Sequence, residues 1–135
     1  MRGVNEVRLI GNLGSDPDVR YMPSGTPVVI LNVGTSEMVS SEAGPLVEDT
    51  EWHRVKVSGN AAKYCAERLQ KGSRVYIEGK NKAARWDQYG QPRVLPEVRA
   101  FRVDGLAKLK PAPNKPNPDY MPGNNTLVDE QPSQD

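Results

Sequence analysis

Residues 50–58 read Thr-Glu-Trp-His-Arg-Val-Lys-Val-Ser. In a strand, side chains alternate between the two faces, so Trp52, Arg54 and Lys56 would share one face. The histidine and the two valines would lie on the opposite face, which is apolar enough to be buried. A flat aromatic ring on a positive surface suits a polyanion whose bases are unstacked, and this combination is typical of proteins that bind single-stranded nucleic acid.

The same combination recurs later in the chain, where Lys80, Lys82 and Trp86 all stand on even positions. Tryptophans of small β domains usually lie in the core. A core does not, however, place charged groups two residues away on the same face. The sequence therefore predicts that Trp52 and Trp86 are exposed and available for stacking.

Short segments rich in Val, Ile and Tyr alternate with turn residues, which predicts a mainly β domain. The predicted strands lie near residues 4–13, 26–36, 50–58, 73–86 and 92–106. Residues 38–49 contain Ser, Gly, Pro and several acids and are predicted to form a long mobile loop. Residues 88–91 are predicted to form a hairpin tip.

One helix is predicted between the third and fourth strands. The side chains from Ala61 to Leu69 follow helical spacing, Ser58 or Asn60 could cap the start, and Gly72 would end the helix. Three strands, a helix and two more strands predict an all-β fold with one helix, the five-stranded Greek-key barrel of the OB-fold kind. An immunoglobulin-like sandwich is the alternative, but it accounts poorly for the helix.

Composition divides the chain into a domain at residues 1–110 and a tail at residues 111–135. Through residue 110 there are 17 Lys and Arg against 13 Asp and Glu, whereas the tail has one Lys against four acids. The tail also contains six prolines and four asparagines, so we expect it to be disordered. The excess of positive charge on the domain suits a polyanionic partner.

Several function classes are excluded or disfavoured. Cys65 is the only cysteine and His53 the only histidine, so one chain can form neither a disulfide nor a Cys/His zinc site. No Ser or Cys near the histidine completes a catalytic triad. We expect no enzyme activity, no cofactor and no metal. The chain has no secretion signal and no apolar stretch of 18 residues, so we expect a cytoplasmic protein that does not enter membranes.

Four short motifs stand in order between about Arg2 and about Leu106. They are Gly11-Asn12-Leu13-Gly14 with Asp16-Pro17, Val19-Arg20-Tyr21-Met22-Pro23, Thr50-Glu51-Trp52-His53-Arg54-Val55, and Lys71-Gly72-Ser73 with Val75-Tyr76-Ile77-Glu78-Gly79. In these motifs the chain resembles the bacterial single-stranded DNA-binding protein family. The resemblance implies an OB-fold protein that coats exposed single-stranded DNA during replication, recombination and repair.

The resemblance also implies roles for individual residues. Bases would stack on Trp52 and Trp86, although two further aromatic positions of the family hold Val39 and Ser58 here. The cations at positions that approach phosphates in the family are Arg2, Arg20, Arg54, Lys71, Lys82, Arg85 and Arg93. Lys56 joins them because it shares the predicted face of Trp52.

Self-association is a further implication of the resemblance. His53 matches a position at the subunit contact of a homotetramer, with Asn5 and Tyr76 as companions. We expect a homotetramer, with a dimer as the second choice.

The end of the tail departs from the family pattern. Family members usually close with acids followed by Ile-Pro-Phe, which docks onto replication and repair proteins, whereas this chain closes with Pro132-Ser133-Gln134-Asp135. Either partner recruitment is lost, or another tail motif serves it, or the protein serves a phage, plasmid or other mobile element. The alternative function is an adaptor of the primosomal, replication-restart kind that acts mainly through protein contacts.

Overall fold

The computed structural model describes residues 2–112. Its elements are β1 (Val7–Leu13), β2 (Asp18–Tyr21), β3 (Pro27–Ser41), β4 (Gly44–Ser58), α1 (Asn60–Arg68), β5 (Arg74–Asn81), β6 (Ala84–Gln88), β7 (Gln91–Leu95) and β8 (Val98–Ala107). The predicted tail lies almost entirely outside the described residues. Within them, no helix is long and apolar enough to cross a membrane.

Five of the strands close into a barrel. Around the barrel the order is β1, β3, β4, β8 and β5, and β5 pairs again with β1. The pair β4–β8 is parallel, with Val55 opposite Val98, and the other barrel pairs are antiparallel. The short β2 lies along the outer edge of β3. This circuit, with α1 between the third and fourth barrel strands, confirms the predicted OB-fold and excludes the sandwich.

The core is built from the inward-facing positions of the barrel strands. Val29, Leu31 and Val33 alternate along β3 and are at most 1% exposed, and Val55 and Val57 of β4 are fully buried. Fully burying one such aliphatic side chain stabilises a fold by roughly 1.5–3 kcal/mol. The alternation therefore fixes which face of β4 turns outward.

Helix α1 packs one face onto this core and agrees with the predicted helix. Its residue Cys65 is fully buried, and burial raises the pKa of the thiol to about 12, so the group stays neutral at physiological pH. The predicted N-cap is wrong. Gly59 occupies that position with φ of 72° and no side-chain hydrogen bond caps the helix, because the turn out of β4 needs a positive φ that glycine adopts without strain.

The prediction of a long mobile loop at residues 38–49 is wrong. The strands β3 and β4 continue far beyond the barrel as a two-stranded ribbon, in which Val39 pairs with Val47. The chain reverses only around residues 42–43, where the Ser41 hydroxyl donates to the carbonyl of Pro45 at 2.9 Å. Pairing satisfies the backbone groups of both segments, and that outweighs the turn-forming composition.

The predicted strands at residues 73–86 and 92–106 are each two strands, and in the second case β7 ends at Leu95 before β8 begins at Val98. Strand β5 ends at Asn81, and β6 begins at Ala84 in a separate two-stranded sheet with β7. The even-numbered face proposed for Lys80, Lys82 and Trp86 is therefore interrupted between Lys82 and Trp86. The hairpin tip at residues 88–91 is confirmed, since both central residues adopt the positive φ of a tight turn.

Candidate nucleic-acid interface

Trp52 lies on the outer face of β4 and is 59% exposed. Arg54 and Lys56 follow on the same face, while the valines between them are buried. The outward face is therefore the one that the sequence pattern predicted. An exposed indole in this position has a free π-face on which a base could stack.

Two glycines lie beneath the indole. Gly34 is directly opposite Trp52 in the β3–β4 pairing, and Gly14 follows the end of β1. A Cβ atom built on Gly34 would be 2.9 Å from Trp52 Cζ3, and one on Gly14 would be 2.6 Å from the same atom. Carbon atoms pack optimally at about 3.5–4.0 Å, so the ring lies directly on both backbones.

A groove beside this face collects most of the predicted phosphate-binding cations. One part has a volume of about 400 Å³, and an adjoining part that shares Lys56 and Arg99 has about 330 Å³. We call the two parts together the cationic cleft. Its cations are Arg20, Arg54, Lys56, Lys80, Lys82, Arg85 and Arg99. Strands that are distant in sequence thus bring their positive charges to one surface.

A buried carboxylate anchors two of these cations. The side chain of Glu97 is only 3% exposed, and its two oxygens accept hydrogen bonds from Arg54 Nε at 3.1 Å and Arg99 Nε at 3.0 Å. An arginine carries five N–H donors, so the bonds to Nε leave the terminal nitrogens for other acceptors. The arrangement holds both guanidinium groups at the wall of the cleft.

The second tryptophan lies on the β6–β7 hairpin. Trp86 is 44% exposed and stands directly opposite Arg93 across the two strands, so the ring and this cation share one face. Side chains alternate along a strand, which places Arg85 on the other face, where it lines the cationic cleft. Arg85 is adjacent to Trp86 in sequence but serves a different surface.

Besides Arg93 on the hairpin, two other predicted phosphate contacts lie outside the cleft. Lys71 is in the turn after α1, where its backbone N–H donates to Asp16 Oδ1 at 2.8 Å. Arg2 is exposed in the segment that precedes β1. Neither side chain lines the cleft, so the structure does not bring them together with the other cations.

Two of the predicted oligomer-interface residues hold contacts within the chain. The His53 imidazole hydrogen-bonds the Thr35 hydroxyl at 2.9 Å on the face opposite Trp52. The Asn5 side chain donates to the carbonyl of Asn81 at 2.7 Å and accepts from its N–H at 3.0 Å. Asn5 thereby extends the pairing of β1 beyond the strand.

Tyr76, the third predicted interface residue, belongs to a charged network on the outside of β5 and β8. Its hydroxyl donates to Glu78, and this hydrogen bond raises the pKa of the phenol. The guanidinium of Arg102 lies 5.7 Å from the ring centroid, within the range of a cation–π contact. The interface roles of these three residues stay predictions.

Sequence reasoning missed four features of this surface. Neither Glu97 nor Arg99 was singled out, although both lie within the predicted strand at residues 92–106. Tyr21, which is 72% exposed, and Met22 line the cleft beside Arg20. The sequence did contain a signal for Tyr21 and Met22, because an aromatic residue directly follows a cation in the Val19–Pro23 motif. Among residues 2–112, no group of three or more His, Cys, Asp or Glu side chains could hold a metal ion.

Known structures with this fold include single-stranded DNA-binding proteins. A deletion mutant (delta 228–252, R190A) of the Thermus aquaticus single-stranded DNA-binding protein is 34% identical, with a TM-score of 0.69 over 78% of this chain. The wild-type protein is 34% identical with a TM-score of 0.67 over 79%. In each case the match spans about half of the Thermus chain, 52%.

A Plasmodium falciparum SSB in complex with ssDNA is 27% identical, with a TM-score of 0.71. The match covers 79% of this chain and 98% of that one. The sequence model of the single-strand binding protein family matches residues 4–106, which is most of the chain. This range contains the whole barrel, both tryptophans and the cationic cleft. The chain therefore belongs to the single-strand binding protein family.

Proposed function

We propose that this protein binds single-stranded DNA independently of sequence and without catalysis. The observation that carries the proposal is the exposed indole of Trp52 beside a cleft of seven cations. Stacking on an aromatic ring is worth roughly 1–3 kcal/mol per base and tolerates any base. Cations that neutralise phosphates add affinity that also carries no sequence information.

The strand would run between the two tryptophans along the cationic cleft. Bases would stack on Trp52 and Trp86, and phosphates would meet the arginines and lysines between them. Arg93 would support the strand at the hairpin, because it lies opposite Trp86. The family and the Plasmodium complex with ssDNA support single-stranded DNA as the ligand. The proposed role, coating exposed strands during replication, recombination and repair, rests on the resemblance of the sequence motifs.

Titration with a dT homopolymer tests this proposal directly. We expect the intrinsic tryptophan fluorescence to fall as bases stack, with weaker binding at high salt. Duplex DNA serves as a competitor and should displace the homopolymer poorly, because its bases are already paired and stacked. Oligo(rU) serves as a second competitor and measures the preference between DNA and RNA. Unchanged fluorescence together with no detectable binding to labelled dT would contradict the proposal.

Substitution of the tryptophans separates stacking from charge. We expect Trp52→Ala and Trp86→Ala each to weaken dT binding by roughly five- to a hundredfold, since each removes one stacking platform. Binding is measured by anisotropy of labelled dT at fixed salt. Phe101→Ala is the control, because Phe101 is 70% exposed but lines a separate groove with Val7 and Arg8. Full affinity in both tryptophan variants would refute stacking.

The proposed assembly is a homotetramer. The support is the match of His53, Asn5 and Tyr76 to subunit contacts in the resembled family, together with the exposed outer surface of β1, β5 and β8. Ile10 on that surface is 50% exposed, and a subunit contact there would bury this apolar side chain. Light scattering at micromolar concentration should give four times the chain mass, and a monomer would rule the assembly out.

A replication-restart adaptor is the second candidate, and one observation favours it. Residues 37–51 contain five acids and no Lys or Arg, and they form the ribbon that extends from the barrel. An acidic ribbon repels a nucleic acid and suits a basic protein surface. Weak dT binding combined with capture of replication proteins, lost on removal of residues 111–135 or of the ribbon charges, would decide for the adaptor.

A further inference from the structure

We propose that Gly14 and Gly34 are positioning residues that hold the Trp52 ring in one orientation against the barrel. The ring then presents its outer face to a base. This inference rests on the proposed function, which places a base on Trp52. It assigns a role in binding to two residues that need not touch the nucleic acid.

The two glycines reach the ring from different segments, Gly34 from within β3 and Gly14 from just after the end of β1. Gly34 is opposite Trp52 in the β3–β4 ladder, and the N–H of Gly14 donates to the carbonyl of Asn32 at 3.0 Å. That bond ties the end of β1 to β3 beside the ring. In both cases the nearest atoms to an added Cβ are Cζ3 and Cη2 of the indole. The same edge of the ring therefore contacts both backbones.

Backbone conformation does not require glycine at either position. Gly25, Gly59 and Gly90 have φ values of 90°, 72° and 77°, which side chains rarely adopt, whereas neither Gly14 nor Gly34 is in that region. An alanine would be accepted by the backbone at both positions. Glycine suits both positions because it lacks a Cβ atom, and the indole of Trp52 occupies the space that a Cβ would fill.

A methyl group at either position would displace the ring. The contacts of 2.6 Å from Gly14 and 2.9 Å from Gly34 are shorter than real Cβ contacts, so one side must move. The backbones are held by the strand ladder, whereas the ring is 59% exposed and can swing outward. We therefore expect the barrel to fold normally and the orientation of the ring to be lost.

Gly→Ala variants in a Trp86→Phe background test the inference, because Trp52 is then the only tryptophan. We expect Gly34→Ala and Gly14→Ala to alter its emission and its quenching by acrylamide, and to weaken binding of fluorescein-labelled dT about three- to tenfold. The midpoint temperature of thermal unfolding should stay the same as in the parent protein. Gly3→Ala is the matched control, since nothing lies within 4 Å of its added Cβ.

A double-mutant cycle excludes a merely structural role. In a Trp52→Ala background the same glycine substitutions should cause no further loss of affinity. Equal losses with and without the ring, or unchanged affinity and emission in both glycine variants, would overturn the inference. Unchanged affinity on Trp52→Ala alone would instead refute the stacking step of the proposed function, and the emission would still report whether the glycines hold the ring.

Discussion

Glu97 shows how one buried carboxylate can organise a cationic surface. Its two oxygens each hold a different arginine, and both arginines are about one-third exposed. A buried charge is tolerated only when it is paired and hydrogen-bonded, and here both conditions are met. Burial of the carboxylate is unfavourable in itself, but its two ion pairs hold both guanidinium groups at the cleft wall.

We predict that Glu97→Gln lowers the free energy of unfolding by roughly 1–3 kcal/mol, because the amide can accept from one arginine but turns its NH₂ group toward the other. Urea unfolding followed by circular dichroism measures the change. Glu42→Gln is the control, since Glu42 is exposed at the tip of the ribbon. Equal stability of the two variants would show that the pairing contributes nothing.

The buried role of Glu97 was missed because one of its two arginine partners is remote along the chain. Arg54 and Glu97 are 43 positions apart, and nothing in the local pattern around Glu97 signals a buried acid. The exposure of Trp52, in contrast, followed from alternation within nine residues. Local periodicity predicts which face a side chain occupies, whereas contacts across the barrel depend on strand register.

At the scale of the elements, the β3–β4 ribbon is held by backbone pairing despite unfavourable charges. Glu37 stands directly opposite Asp49, and Glu51 lies on the same face two residues further along β4. Like charges at directly opposed positions destabilise a strand pair. The ribbon therefore retains a charge pattern that stability alone would not favour.

We predict that Asp49→Lys raises the free energy of unfolding by about 0.2–1 kcal/mol, because it replaces a repulsive cross-strand pair with an attractive one. Thermal unfolding at low and at high salt measures the effect, which should shrink as salt screens it. Glu48→Lys is the matched control, since Glu48 faces Met38 on the other side of the ribbon. An equal gain in both variants would point to net charge instead of pairing.

Element types were predictable from sequence, but the ribbon and the strand breaks after Asn81 and after Leu95 were not. The barrel strands and α1 follow clear periods of two and of about four residues. The ribbon was missed because Ser, Gly and Pro indicate turns wherever they occur, and only pairing with a partner segment converts them into strand. The break after Asn81 was missed although Asn81, Lys82 and Ala83 are of types depleted in strands, because the even spacing of Lys80, Lys82 and Trp86 suggested one continuous face.

At the scale of the whole molecule, the cationic cleft predicts how the affinity for single-stranded DNA depends on salt concentration. We predict that Lys56→Ala and Lys82→Ala each reduce the slope of log affinity against log salt by about 0.7, the value for one phosphate contact with a single strand. Lys71→Ala should leave the slope unchanged, because Lys71 lies outside the cleft. Fluorescence titrations from low to high salt supply the slopes, and an equal change in all three variants would refute the cleft as the phosphate path.

The closure of the barrel determines when the protein can complete its fold during synthesis on the ribosome. Strand β8 lies between β4 and β5, so the circuit of strands cannot close before Ala107 has left the ribosome. Until then β1, β3 and β4 expose apolar faces, and pairings between distant segments form slowly. The nascent chain therefore passes through an interval in which its valine-rich strands are exposed and prone to aggregation.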